Sequence, residues 1–191
     1  MRQLSTLLAL GLALVLPVAP SLATQDMRVL PTAEAHADWR QWGSGEMRWY
    51  GFALYRATLY VAGREPVAAV GNGGDDSPYD SPFALALEYR RDIPGARIVE
   101  ASVDEMRRLG AADSDLQRWE GEMKRLFPDV RKGDTITGFF LPDRGARFYL
   151  GTRALGEIAD VDFARRFFAL WLDPRTAAPA VRAALLRLPP G

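Results

Sequence analysis

The sequence has no cysteine and one histidine, and these two shortages exclude several kinds of chemistry. Without thiols there can be no disulfide bridge, no thiolate nucleophile and no Cys-based metal site, so the core alone must stabilise the fold. The single histidine, His36, has no second histidine and no ordered carboxylate cluster near it in sequence. This pattern argues against a metal centre and against a His-based triad, so we predict no metal, no cofactor and no catalytic residue set.

An excess of charge of either sign is also missing. The chain has 24 Lys and Arg against 24 Asp and Glu, and Arg2 is the only charged residue before Asp26. Nucleic-acid binding typically requires a clustered basic surface, and attraction to a lipid surface requires Lys and Arg beside an apolar face. Because neither pattern is present, we predict no nucleic-acid partner and no stable insertion into a membrane.

The longest apolar run is too short for a membrane anchor. It covers Leu7 to Leu16, whereas a spanning helix needs about 20 apolar residues, and Pro17 and Pro20 follow it closely. Arg2 precedes the run, and Ser21-Leu22-Ala23 places small residues three and one before a cut. This order predicts a signal peptide over residues 1–23 and one mature domain over residues 24–191, periplasmic or secreted.

Hydrophobic periodicity after the signal predicts two strand regions, a pair of helices, a hairpin and two closing helices. The expected strands cover residues 47–62 (two strands, or one bent strand, broken at Gly51), 83–91, 135–141 and 146–150. The expected helices cover residues 98–109, 113–127 with Asp113 or Ser114 as its cap, a segment capped by Asp160, and 179–188. In the segment after Asp160, helical spacing puts Phe163, Phe167, Leu170 and Trp171 on one face, which we expect to pack in the core. This order favours an α+β domain, with an antiparallel sheet and its helices on one face.

One strand face is rich in groups that could bind a ligand. Arg56, Thr58 and Tyr60 alternate with apolar residues, so their side chains share a face. In a cleft, the guanidinium could hold a carboxylate while the hydroxyls add hydrogen bonds. The alternative is a solvated face on which Arg56 pairs with a surface acid. Tyr89 completes the candidate ligand-binding set, although it also fits a core residue whose hydroxyl reaches the edge.

Four segments resemble the chalcone isomerase-like proteins found in bacteria, and they run from about Gly45 to Leu186. They are RWYGFALYRATLYV, ALEYRRDI, KGDTITGFFLPDRGARFYLGTRALGEI and FARRFFALWLDPRTAAPAVRAALL. The resemblance implies an open-faced β-sandwich, in which a large antiparallel sheet carries a helical layer and a hydrophobic ligand cleft lies between them. The family includes plant enzymes that close chalcones to flavanones, and non-catalytic relatives that bind fatty acids.

The catalytic set of the plant enzymes is not matched in this sequence. Aligning the segments puts Gly43, Tyr55, Ile98 and Glu105 at the places where those enzymes have Arg, Thr, Tyr and Asn. Their chemistry needs a guanidinium for a phenolate and hydroxyls to stabilise the developing charge, which these four residues do not supply.

The sequence thus leads to a main hypothesis and two alternatives. The main one is a non-catalytic binder of a small hydrophobic or amphipathic ligand, such as a fatty acid, in the cleft between the sheet and the helices. The alternatives are an isomerase or intramolecular lyase acting on another substrate, and a structural module of the cell envelope with a closed core.

Overall fold

The computed structural model describes residues 30–31, 39–62 and 79–188, with the backbone alone at position 49. The predicted signal peptide and His36 lie outside these residues. The described part contains six strands and four helices. In chain order they are β1 (Trp39–Trp49), β2 (Phe52–Ala62), β3 (Phe83–Tyr89), α1 (Gly95–Arg108), α2 (Asp113–Leu126), β4 (Thr135–Leu141), β5 (Gly145–Leu150), β6 (Arg153–Ile158), α3 (Val161–Leu172) and α4 (Pro179–Leu186).

The strands form one open antiparallel sheet whose spatial order is the chain order, β1-β2-β3-β4-β5-β6. α4 packs on β1 and β2, α3 packs on β4 and β5, α2 touches β6, and α1 lies against α2 and α3. This is the predicted α+β architecture, an open sheet with its helical layer on one face.

The break expected at Gly51 is a tight turn that separates β1 from β2. Tyr50 and Gly51 both have positive φ, 47° and 83°, as the twist of a two-residue hairpin requires. The predicted region over residues 47–62 is therefore two strands, although β1 begins earlier, at Trp39. Its first half was missed because Gly43, Ser44 and Gly45 have low strand propensity.

Two further sequence predictions need correction. β6 was not predicted, because its exposed first half and Gly156 weaken the alternation that marks a strand. The N-cap of α2 is Ala112, whose side chain accepts no hydrogen bond, rather than Asp113 or Ser114. Asp113 instead lies in the first turn of the helix, where a carboxylate favours the helix dipole. The predicted cap of α3 is confirmed, since the Asp160 side chain accepts from the Phe163 amide.

Aromatic side chains fill the layer between the sheet and the helices. α3 contributes Phe163, Phe167 and Trp171, which are at most 6% exposed, as the sequence predicted. The Phe167 ring centroid lies 5.2 Å from that of Phe148 on β5 and 5.5 Å from that of Trp171. Edge-to-face contacts at such distances add to the stability gained from burying apolar area.

A second apolar group lies on the other face of the sheet. This open-face cluster consists of Trp39, Tyr60, Ala84, Ala86, Phe139 and Tyr149, and Leu30 packs against it. The Phe139 ring lies 5.5 Å from Trp39 and 5.7 Å from Tyr149, measured between centroids. The open face is therefore apolar at one end, and the candidate site lies beside that end.

Candidate functional site

Strand register brings the polar residues of the open face into rows. Thr58 is opposite Ser44 on β1 and opposite Ala86 on β3. Directly paired residues in an antiparallel sheet point to the same face, with Cβ atoms about 4.5–5.5 Å apart. Three of the four predicted ligand-binding residues, Arg56, Thr58 and Tyr60, therefore share one surface, as alternation along β2 predicted.

These residues line a shallow depression, which we call the open-face groove. It lies on the face of the sheet opposite the helices, and not in the cleft between sheet and helices that the resemblance implied, because aromatic rings fill that layer. Its volume is about 330 Å³, near the lower end of the usual range for small-molecule sites. The lining residues come from β1, β2, β3, the start of β4 and the turn before it. They are Gln41, Ser44, Arg56, Thr58, Tyr60, Ala86, Glu88, Gly133 and Thr135.

The groove combines one cation, Arg56, and one carboxylate, Glu88, with several hydroxyl groups. The Ser44 and Thr58 hydroxyl oxygens lie 3.2 Å apart and share a hydrogen bond. Arg56 is exposed, and within the ranges that the structure describes its guanidinium makes no ion pair. A guanidinium beside hydroxyl donors can bind a carboxylate or another planar anion bidentately.

The groove continues into the open-face cluster, because Tyr60 and Ala86 belong to both. Thr137 lies at this boundary, opposite Ala86 on β3 and Tyr149 on β5. Thr137 is fully buried, and its hydroxyl has no hydrogen-bond partner in the part of the chain that the structure describes. One end of the groove is thus polar and charged, and the other is apolar.

Tyr89 is not part of this groove. It lies on the helix-facing side of the sheet and is 3% exposed. Its ring packs edge-on against Tyr55, with centroids 6.2 Å apart. Burial raises the pKa of the Tyr89 hydroxyl well above its ordinary value. The structure therefore separates Tyr89 from the other three candidate residues and places it in the core.

Tyr55 is hydrogen-bonded to a residue of the helical layer. The Trp171 indole nitrogen donates to the Tyr55 hydroxyl oxygen over 3.0 Å. Burial raises the pKa of Tyr55 to about 12, and the hydrogen bond from Trp171 only partly offsets that effect. Both tyrosines are therefore neutral at physiological pH and act as packing groups.

A second depression of about 400 Å³ lies beside α3, and Arg165, Arg166, Asp162 and Asp173 line it together with Tyr79. Asp173 is paired there with Arg175 at 2.9 Å, and Arg166 donates to the Leu109 carbonyl oxygen at 3.4 Å. The smaller open-face groove is the better candidate, because it contains three of the predicted residues and borders the open-face cluster.

No metal site is found in the described residues, where no three His, Asp or Glu side chains cluster closely enough to hold an ion. None of the helices described is long and apolar enough to cross a membrane.

A family model described as chalcone isomerase-like matches residues 42–187. The chain belongs to the chalcone isomerase-like family. Its fold is similar to that of a solved fatty-acid binding protein from Arabidopsis thaliana, with a TM-score of 0.58 and 15% sequence identity. The match covers 78% of this chain and 86% of the plant protein. None of the curated proteins matches the chain by sequence.

In this chalcone isomerase-like chain, Gly43, which aligns with the catalytic Arg of the plant enzymes, packs directly against helix α4. A Cβ atom at Gly43 would lie 2.1 Å from the Leu185 carbonyl oxygen of α4, so the larger Arg side chain cannot be accommodated. Tyr55, which aligns with the Thr of the plant enzymes, accepts a hydrogen bond from Trp171.

The other two aligned positions have structural contacts. Ile98 packs against the core, and Glu105 accepts hydrogen bonds from Arg108 and from the Ala177 amide. The Arg108 hydrogen bond lowers the pKa of Glu105, so its carboxylate stays charged and joins α1 to the segment before α4.

Sequence reasoning missed Ser44, Glu88 and Thr135 as parts of the groove. Ser44 lies in the half of β1 that was not predicted. Glu88 and Thr135 reach Arg56 and Thr58 only through the pairing of β2, β3 and β4. The alternation of β3 and β4 assigned their faces, but no local signal gives the register between strands that are far apart in sequence.

Proposed function

We propose that this protein is an exported, non-catalytic binder of a small amphipathic ligand, such as a fatty acid, whose acidic head group lies against Arg56. The observation that carries this proposal is the guanidinium of Arg56, which makes no ion pair with any described residue and lies near hydroxyl groups and Glu88 at the polar end of the open-face groove. Charge-assisted hydrogen bonds of this kind contribute about 1.5–3 kcal/mol.

The apolar part of the ligand fits the other end of the groove. Tyr60 and Ala86, 2% and 3% exposed, lead from the hydroxyl groups towards the open-face cluster, so an apolar chain lying along them would be placed beside apolar side chains. Each buried CH₂ group contributes about 0.8 kcal/mol. A groove of about 330 Å³ favours a small ligand or one end of a larger one.

The family supports a binder without requiring it. The plant protein of similar fold is described as a fatty-acid binding protein, which supports a small hydrophobic ligand for this chain. At 15% identity that likeness extends to the fold only. The ligand class proposed here rests on Arg56 and its surroundings.

We further propose that the protein does not close chalcones. Removing a single donor that stabilises the developing charge typically costs a hundredfold or more in rate, and all four aligned positions differ here. Purified protein should leave the rate of chalcone cyclisation, followed by absorbance, at its uncatalysed value. Robust turnover would overturn the non-catalytic assignment.

Binding can be measured with a fluorescent acid, 11-(dansylamino)undecanoic acid, titrated into the purified mature chain. We expect saturable binding that Arg56→Ala weakens by about 10- to 150-fold, the equivalent of a lost charged hydrogen bond. Arg97→Ala, which removes an exposed arginine of α1, is the matched control and should leave the affinity unchanged. Equal affinity of the Arg56 variant and the unmodified protein would place the site elsewhere.

One observation favours the envelope module as the second candidate. The layer between sheet and helices is filled by aromatic rings, and α4 closes the Gly43 position. Native mass spectrometry of the purified protein separates the two candidates. A small molecule that co-purifies supports the binder, whereas a bare chain that also fails to bind the dansyl acid supports the module.

A further inference from the structure

The register of the sheet places Arg56 between two carboxylates. It is directly opposite Glu46 on β1 and directly opposite Glu88 on β3. Opposite charges in such cross-strand positions ordinarily attract each other and pair. An Arg flanked on both sides by Glu would then be neutralised and would have little affinity for an anionic ligand.

Both carboxylates are bound by other arginines. Glu88 contacts Arg90 at 2.5 Å, and Glu46 contacts Arg48 at 2.6 Å. Arg48 lies two residues after Glu46 on β1, so their side chains share a face, and Arg90 follows the end of β3, two residues after Glu88. Arg90 and Arg48 thus occupy the carboxylates that face Arg56.

We propose that Arg48 and Arg90 are positioning residues that hold Glu46 and Glu88 away from Arg56, so that its guanidinium is left for an anionic head group. This inference rests on the proposed function and assigns the head group of the ligand as an anion. Arg48, Arg56 and Arg90 carry three positive charges against the two negative charges of Glu46 and Glu88, which leaves one net positive charge. The contacts place that charge on Arg56, in β2.

The experiment measures whether Arg56 becomes paired when a positioning residue is removed. Phenylglyoxal modifies guanidino groups, and an adjacent carboxylate slows it because it favours the charged form of the Arg. In Arg90→Gln, Glu88 is released to pair with Arg56. Labelling of Arg56, followed by peptide mass spectrometry, should then slow about two- to five-fold, the range of an exposed ion pair.

Two further variants make the result specific. Glu88→Gln combined with Arg90→Gln removes the competing carboxylate and should restore the labelling rate, which a general structural disturbance would not do. Arg97→Gln breaks an exposed ion pair with Glu100 on α1 and should leave Arg56 labelling unchanged. The affinity for the dansyl acid should fall in Arg90→Gln, recover in the double variant and stay unchanged in Arg97→Gln.

Unchanged labelling of Arg56 in Arg90→Gln would overturn the positioning role, as would failure of the double variant to recover. The labelling readout does not depend on a ligand. If labelling behaves as expected while the unmodified protein fails to bind the dansyl acid, the arrangement of charges stands and the proposed function fails.

Discussion

Trp171 joins the helical layer to the sheet through one buried contact, its hydrogen bond to the Tyr55 hydroxyl. Trp171→Ala should lower the free energy of unfolding by about 3–5 kcal/mol, because a large buried side chain is lost. Trp171→Phe should cost about 1–3 kcal/mol, because it leaves the buried Tyr55 hydroxyl without its donor. Urea denaturation measures both.

Arg165→Ala is the control for these variants, since Arg165 is an exposed residue on the same helix. Its effect should stay within about 0.5 kcal/mol. A cost below about 1 kcal/mol for Trp171→Ala would contradict the core position of this residue.

Two buried threonines give a second test at the residue scale. The Thr137 hydroxyl has no hydrogen-bond partner among the described residues, whereas the Thr176 hydroxyl donates to the Leu170 carbonyl at 2.5 Å and accepts from the Ala178 amide at 3.1 Å. Thr176→Val should therefore cost about 1–3 kcal/mol, and Thr137→Val should be neutral or stabilising. If both substitutions destabilise the protein equally in urea melts, the Thr137 hydroxyl is hydrogen-bonded in solution.

At the scale of elements, the docking of α4 on β1 depends on the absence of a side chain. A Cβ atom at Gly43 would meet the Leu185 carbonyl at 2.1 Å, and one at Gly45 would lie 3.0 Å from the Ala184 Cβ. Gly43→Ala should thus destabilise the protein by about 1–3 kcal/mol or more, because α4 and β1 must move apart.

The matched control for this prediction is Gly121→Ala in α2. A Cβ atom there would meet nothing within 4 Å, so the substitution should stabilise the protein by about 0.5–1 kcal/mol through helix propensity. In urea melts, Gly43→Ala should lower the free energy of unfolding and Gly121→Ala should raise it. A neutral Gly43→Ala would show that α4 does not pack this closely on β1.

The start of α3 should make stability depend on pH. Burial alone would raise the pKa of Asp160, but hydrogen bonds from the Phe163 amide, Trp119 and Arg118 outweigh it and lower the pKa to about 2. A depressed carboxyl pKa stabilises the folded protein above the ordinary value near 4, and that contribution is lost as the pH falls towards 2.

Asp160→Asn tests this dependence, because an amide does not ionise and still caps the helix. The unmodified protein should be the more stable of the two at pH 5, and the difference should shrink between pH 4 and pH 2 in urea melts. A difference that stays constant over this range would show that Asp160 is not held ionised in the folded state.

For the whole molecule, the prediction concerns export. The order of Arg2, the apolar run and the small residues before position 24 favours cleavage after Ala23. N-terminal sequencing of the protein recovered from the periplasm or medium of an expressing culture should begin at or near Thr24. An uncleaved product that resists carbonate extraction from membranes would show that the segment is an anchor.

Local sequence was enough to determine most elements and their faces. Alternation along β2 predicted a shared face for Arg56, Thr58 and Tyr60, and helical spacing predicted the buried stripe of α3. The Asp160 cap could also be read directly, because a cap depends on residues only three positions apart. The resemblance of the segments then led to the fold class, which the structure confirms.

Only the tertiary structure decided what surrounds those faces. Tyr89 and Arg56 are both on strands and both looked like site residues, but pairing of β2 with β3 places them on opposite sides of the sheet. The partners of Arg56, the two carboxylates beside it and the arginines that occupy them depend on register between strands. Register is fixed by packing across the whole sheet, so no short stretch of sequence contains it.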